Sequence, residues 1–356
     1  MSTIRVQAAT ASRGLVDLTE VFSKGSIKSD VEQVADCFEV EFGYTENTNP
    51  DFPILPVDLG DTLIVSDEAT GTEIFKGIVV EEERSGADLR KFTAFDPSWY
   101  LTKSKIVIQF GGPVVGIDAD ICIRKVLSEY GLPVKSIRPM TTKIKEIYIN
   151  KTGVEIIEDI LSKVEEKTGV VYTYEMQKEG FYLDTRTVVP VEMKFFLSDN
   201  DRESLALTLD DVVETVTRRR SIQDMKNSVK VFFHYSTTLS HWGDFYEATD
   251  PASVAKYGTL SEVIEEKAEK GVAIRLENKA AAKAAADRML AKMNRVFEDV
   301  SFESLGNLAA KAGRGLSVKE DVSGIDGVFL IRSCEHVFET GTHKMRITLG
   351  VEDDAR

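Results

Sequence analysis

With 356 residues, 42% hydrophobic and 29% charged, the chain has material for two or three folded domains. A formal net charge of −15 argues against a duplex-DNA binder that works by neutralising phosphates, and against docking on an anionic membrane surface. Cys37, Cys122 and Cys334 are far apart and odd in number, which excludes a disulfide framework and a CxxC motif and fits a reducing compartment. The opening MSTIRVQAATASRG lacks the apolar core of a signal peptide, and no apolar run is long enough to span a bilayer. We therefore expect a chain made and kept in the cytosol unless a larger assembly carries it out.

Residues 1–105 read as β-rich. In Cys37–Phe42 the apolar Phe38, Val40 and Phe42 alternate with Glu39 and Glu41, which predicts a strand with one buried face. Asn47–Pro56 reads as a loop. Gly60–Lys105 reads as a strand at Leu63–Val65, a polar turn, a long hairpin turning at Ser85–Gly86, and an aromatic corner, FDPSWYLTKSK. Charges of both signs on that hairpin (Glu81, Glu82, Glu83, Arg84, Arg90, Lys91) suit a solvated arm or a subunit contact.

The pattern changes over 106–200. Asp118–Tyr130 places Ile121, Ile123, Val126 and Leu127 at helical spacing, and Thr152–Thr168 does the same with Val154, Ile157, Ile160, Leu161 and Val164 before a stop at Gly169. A hairpin turning at Lys178–Gly180 follows, so this stretch reads as a small α/β module inserted between β-rich regions. From 201 to 356 strands return: Leu205–Leu209, Val212–Val216, and a strand alternating through Val229, Val231 and Phe233. Asp250–Tyr257, Leu260–Lys270 and the Ala-rich Asn278–Val296 read as helices, the last with Met289, Leu290, Met293 and Val296 on one side and Lys279, Lys283, Arg288, Lys292 and Arg295 on its wet side. The closing stretch echoes Gly60–Ala94. Gly315, Leu316 and Val318 lead to Val328–Phe329, then to a hairpin rising to Ile347 and Leu349, at the same spacing to about a residue. We read a duplicated barrel unit.

The catalytic inventory is thin. Of four histidines, His234, His241, His336 and His343, the last two share the closing hairpin with Cys334. A turn at Thr340–Gly341 would pair Phe338 with His343 and put Cys334, His336 and His343 on one face, a partial zinc set. An ordinary strand face without a fourth ligand outweighs that reading. The adjacent pairs Glu165–Glu166, Asp210–Asp211 and Glu265–Glu266 read as solvated faces, because sequence neighbours rarely converge on one substrate atom. GxSxG, HExxH and P-loop motifs are absent. Arg218–Arg220 reads as an interface or salt-bridge segment rather than a phosphate site, and Trp99 and Tyr100 as packing at the barrel exit rather than a stacking platform. We therefore assign no catalytic, metal or cofactor residues.

At FDPSWYLTKSK, and again at IDADICIRKVLSEYGLP, TGVEIIEDILSKVEEKTGVVYTYEMQKEGFYLDTR, SIQDMKNSVKV, DPASVAKYGTLSEV and EHVFETGTHKMRITL, the chain resembles the XkdQ-like family of phage tail proteins. These are the baseplate hubs of contractile tails and of tail-derived bacteriocins. The order of the segments, from about Gly60 onward, carries the resemblance. It implies an α+β, mainly β fold: two tail-tube-like antiparallel barrels, 1–105 and 201–356, around the 106–200 module. It also implies a non-enzymatic homotrimeric ring in the tail particle, assembled in the host bacterial cytoplasm, that matches a six-fold tube to a three-fold spike. Its partners would be the tail tube or a tube-initiator protein, the central spike and the tape-measure protein. DNA would pass the channel without specific binding, repelled if acidic side chains line it. The competing readings are a baseplate-associated peptidoglycan hydrolase, a receptor-binding tail module, and a hub from a non-contractile tail or a secretion-type machine.

Overall fold

A computed structural model describes residues 4–43, 55–85, 89–112, 114–185, 216–233, 244–265, 279–320, 325–339 and 341–350. The fold is α+β and mainly β, with large antiparallel sheets. The chain divides into two compact units, Met1–Thr217 with Ser301–Arg356, and Arg218–Val300.

The first strands are β1 (Ile4–Thr10), β2 (Gly14–Asp17), β3 (Phe22–Asp30), β4 (Cys37–Gly43), β5 (Thr62–Asp67), β6 (Glu73–Ser85) and β7 (Leu89–Phe95). Period-two alternation sets their faces. Phe38, Val40 and Phe42 are buried, while Glu39 and Glu41 stay partly exposed. The buried set joins Val6, Leu63, Val65, Phe75 and Phe92 in one core, where Phe38 meets Phe75 at 5.5 Å and Phe42 meets Phe92 at 6.0 Å. Each such ring stabilises the wall by about 1.5–3 kcal/mol.

The aromatic corner turns into a short helix, α1 (Trp99–Lys103), whose Leu101 is fully buried in a different core. That core is built from β8 (Lys105–Phe110), β9 (Ile117–Asp118), α2 (Ala119–Glu129), β10 (Val134–Ile137), β11 (Lys143–Ile144), β12 (Glu146–Thr152), α3 (Gly153–Thr168), β13 (Tyr172–Gln177) and β14 (Gly180–Thr185). A capping box starts α3: the Thr152 hydroxyl accepts from the Glu155 N–H, and the Glu155 carboxylate accepts from the Thr152 N–H. Gly169, with φ of 70°, ends it. The stripe on α2 differs from expectation. Ile121 is 51% exposed, whereas Ala119, Cys122, Ile123, Val126 and Leu127 are fully buried. Steps of three and four residues from Ala119 define the inner face, and Ile121 falls outside it.

The chain then forms β15 (Thr217–Ser221), β16 (Ser228–Phe233), β17 (Asp244–Thr249), α4 (Pro251–Tyr257), β18 (Ser261–Glu265) and α5 (Lys279–Met293). The helix expected over Leu260–Lys270 is corrected at its start, where Ser261–Glu265 pairs in parallel with β16. An open sheet edge on β16 captures a Val-Ile segment there. The Ala-rich helix seats on β16 and β17 through the fully buried Ala282 and Ala286, with Met289 and Leu290 partly buried beside them. Its charged side includes Lys283, paired with Asp287. The expected strand Leu205–Leu209, the expected strand Val212–Val216 as far as residue 215, and His234 and His241 lie outside the described residues.

The last strands are β19 (Phe297–Leu305), β20 (Gly315–Glu320), β21 (Ile325–Glu339) and β22 (Thr342–Gly350). The large sheet has the order β15-β19-β22-β21-β3-β4-β7-β6-β5-β1-β2, with β20 on β21. It contains the same arrangement twice, since β3-β4-β7-β6-β5 is matched by β15-β19-β22-β21-β20. Ile78 pairs with both Thr62 and Phe95, and Leu330 pairs with both Gly315 and Gly350. Just past each crossing the ladder slips, between Val79 and Glu81 in one case and between Ile331 and Ser333 in the other. Bulges are placed features of a strand, so a matched bulge supports duplication more strongly than side-chain identity does.

The two isoleucines of α2 provide a test of its inner face. Ile123→Ala should cost about 2–4 kcal/mol in urea unfolding, and Ile121→Ala under about 1 kcal/mol. Equal losses would contradict the buried stripe.

Candidate functional site

The closing hairpin brings its three candidates together. The register pairs Phe338 with His343, as the expected turn requires, and Cys334, His336 and His343 share the buried face. His336 Nε2 lies 2.7 Å from the Ala310 carbonyl, so it carries the proton and donates there. His336 Nδ1 is then an acceptor for His343 Nε2 at 3.1 Å, and Cys334 Sγ lies 3.5 Å from His336 Nε2. His343 stacks on Phe338 at 4.3 Å, and a Cβ on Gly306 would fall 2.1 Å from its ring. Burial, then the neighbouring His336, pushes His343 down to about 4, and burial lowers His336 as well. Burial pushes the Cys334 thiol up to about 12. Two neutral imidazoles and an inert thiol, each engaged with its neighbours, make a packed polar layer. Among the described residues no group of three His, Cys, Asp or Glu could hold a metal ion.

The other candidates are spoken for. Arg218 and Arg220 both reach Glu298, at 2.6 and 3.6 Å. Trp99 stacks on Phe95 at 6.3 Å and meets Tyr100 edge-on at 5.3 Å. An open groove lined by Val114, Val115, Lys143, Lys163 and Glu166 has its Lys163 tied to Glu146 and Asp159, at 2.9 and 2.7 Å. Asp210–Asp211 and Glu266 lie outside the described residues.

Sequence reasoning missed a buried cluster of charges at the seam between the β-wall and the α/β module. Asp96 accepts from the backbone N–H groups of Asp36 at 2.7 Å and Ser98 at 2.8 Å. The Ser98 hydroxyl sits between that carboxylate and Val34 O. Burial, then the nearby Asp36, pushes Asp96 up to about 6. Lys311 bridges Asp36 at 2.8 Å and Glu175 at 3.9 Å, and Arg314 also binds Glu175, at 2.8 Å. Burial alone would lower Lys311, but Asp36 and Glu175 outweigh it and hold the ammonium above its ordinary value. Glu175 is held low by Arg314 and Lys311 against the opposing effect of burial. The signal was divided among four distant segments, of which only FDPSWYLTKSK stands out in the sequence. The cluster fastens β13 of the module to the loop before β20 and the turn before β4.

A family model described as YQBQ-like matches residues 26–350. No curated protein sequence matches. Among solved structures the chain is similar to the 43 kDa tail protein of prophage MuSo2 from Shewanella oneidensis, at 14% identity and TM-score 0.67, covering 99% of both chains. It is similar to a tail protein of Neisseria meningitidis MC58, at 15% identity and TM-score 0.63, again over 99% of both. It also resembles the E. coli c3393 protein, at 10% identity and TM-score 0.51, covering 94% of this chain and 75% of that one. That protein is described as a type VI secretion component with structural similarity to the T4 tail proteins gp27 and gp5.

The imidazole pair sets an acid limit. Above 6.5 both rings are neutral folded or unfolded, so their contribution is constant; as pH falls toward about 4 the unfolded chain takes up protons the folded chain refuses, and stability is lost. His343→Phe, which keeps a ring on Phe338, should make that loss shallower between pH 6.5 and 4, by up to about 1.4 kcal/mol per pH unit. An unchanged slope in urea melts at stepped pH would refute this. At the seam, Asp96→Ala strands the Asp36 and Ser98 N–H groups and should cost about 1–3 kcal/mol at pH 7, with Asp96→Asn costing less. Denaturant titration of both variants checks the order.

Proposed function

Because the chain belongs to the YQBQ-like family, we propose that it is the structural hub of a phage-type tail baseplate, a ring-forming trimer that joins a six-fold tube to a three-fold spike. The observation that carries this reading is the duplicated sheet, with its bulge in matching register at Val80 and Arg332. A trimer of a chain holding two equivalent units presents six similar units to one neighbour and three identical chains to another. A likeness to tail proteins over nearly the whole length supports it. Its neighbours in this reading are the tube or tube-initiator protein, the central spike and the end of the tape measure, and its location is the tail particle. No helix among the described residues is long and apolar enough to cross a membrane. The role is mechanical: surfaces transmit symmetry, and the ordered polar clusters hold the wall and its module rigid.

The chain in solution should have three times its monomer mass by light scattering, and particle images should show a three-fold ring. A stable monomer would contradict the hub. Purified protein should leave bacterial cell walls intact in a digestion assay; robust clearing would replace this reading with a wall hydrolase.

A further inference from the structure

Among the described residues, one pairing of the duplicated arrangement occurs only once. Past Leu330, the edge of β21 that began on β20 continues onto β3, from Ser333↔Asp30 to Glu339↔Lys24. The equivalent edge of β6 begins on β5 and, past Ile78, has no strand partner among the described residues. The strand equivalent to β3 is β15, which among the described residues ends the sheet with β19 as its neighbour. One half therefore shows how the two edges fit; in the other, among the described residues, the edge of β6 beyond Val79, which still bonds Gly60 and Asp61, and the outer edge of β15 have no strand partner.

The side chains repeat the match. Across β21 and β3, Lys24 meets Glu339 at 3.2 Å and Lys28 meets Glu335 at 3.6 Å. Counting from the crossings at Ile78 and Leu330, Glu83 occupies the position of Glu335. Both are set by the pleat on the face away from the core. On β15, Arg218 and Arg220 turn to Glu298, so alternation puts Arg219 on the opposite face. Glu82 turns to Arg84 and Arg90, which leaves Glu83 on one edge and Arg219 on the other as the charges that would repeat the Glu and Lys of the internal joint.

We propose that β15 of one copy adds antiparallel to the open edge of β6 in the next copy, with Arg219 facing Glu83, and that this joint closes the ring. The inference rests on the trimeric hub reading and names the surfaces that make it. The contact is head-to-tail, since each copy offers a different strand on each side, so it closes only through rotation. Main-chain hydrogen bonds would hold the strands, and the charges would fix register and exclude self-pairing of like edges.

The full-length chain is measured by light scattering over a dilution series, with circular dichroism as the fold control. Glu83→Arg and Arg219→Glu should each shift the trimer toward monomer, raising the concentration of half-dissociation at least tenfold. Both changes in one chain should restore it. A second pair, Glu83→Cys with Arg219→Cys, should give on oxidation a covalent ladder ending at three chains, a readout that needs no reversal variant to fold. A trimer indifferent to both reversals, or one whose cysteine pair never links two chains, overturns this joint and leaves the hub standing. A wild-type chain that stays monomeric overturns the hub reading and the joint with it.

Discussion

The ladder between β3 and β21 is the constraint on which the described sheet depends. It joins Ser29 to Cys334 across nearly the whole chain, and the Ser29 hydroxyl both donates to the Cys334 carbonyl and accepts from the Ala312 N–H. Without it two strands would be left as bare edges, each a template for pairing with whatever chain came near. The flanking ion pairs are about half exposed, Lys24 with Glu339 at 52% and 54%, and pairs of that kind contribute about 0–1 kcal/mol. Main-chain bonding and burial of Phe338 in the core of the first strands therefore hold the ladder, and the charges select its register. The cost falls on folding speed, because a contact this distant must close a long loop before it stabilises anything.

The seam solves a different problem. The module has its own apolar core, centred on Leu101, Ile123, Leu127, Ile156 and Phe181, so it needs to be positioned more than it needs to be stabilised. A greasy joint would hold it at several nearly equal angles. Asp36, Asp96, Glu175, Lys311 and Arg314 instead meet with fixed donor and acceptor directions, and removing one member of such a network leaves a buried partner unsatisfied. Asp96 shows the tension in this: the donors that fix it also hold it beside Asp36 in a buried site, which raises its affinity for a proton.

Local patterns carried much of this into the sequence. Alternation at Phe38–Phe42, the start and stop of α3, and the pairing of Phe338 with His343 are short-range physics written in adjacent residues. The failures are tertiary. Ile121 fits a helical period but not the stripe that the surrounding strands enclose. Ser261–Glu265 has no strong preference, and becomes a strand because β16 offers it an edge. The seam was invisible because ion pairs between Asp36, Glu175 and Lys311 have no spacing to recognise.

The same distinction governs the Cys334, His336 and His343 face. In sequence it offers a partial ligand set that an ordinary strand face outweighs, because chemistry-bearing residues at strand spacing share a side. In the folded chain each ring nitrogen but His343 Nδ1 has a neighbour to bond, and Gly306 is needed merely to let the His343 ring fit. A site that binds from outside must keep some bonding capacity facing solvent, and this layer turns nearly all of its capacity inward. Among the described residues the edges of the sheet left without a strand partner, those of β6 and β15 among them, offer main chain, and main chain has no sequence signature beyond the charges beside it. In the hub reading proposed above, the chain works by joining copies and neighbours at their edges, so it looks chemically empty when read residue by residue, and the fold is needed to show which edges are already filled.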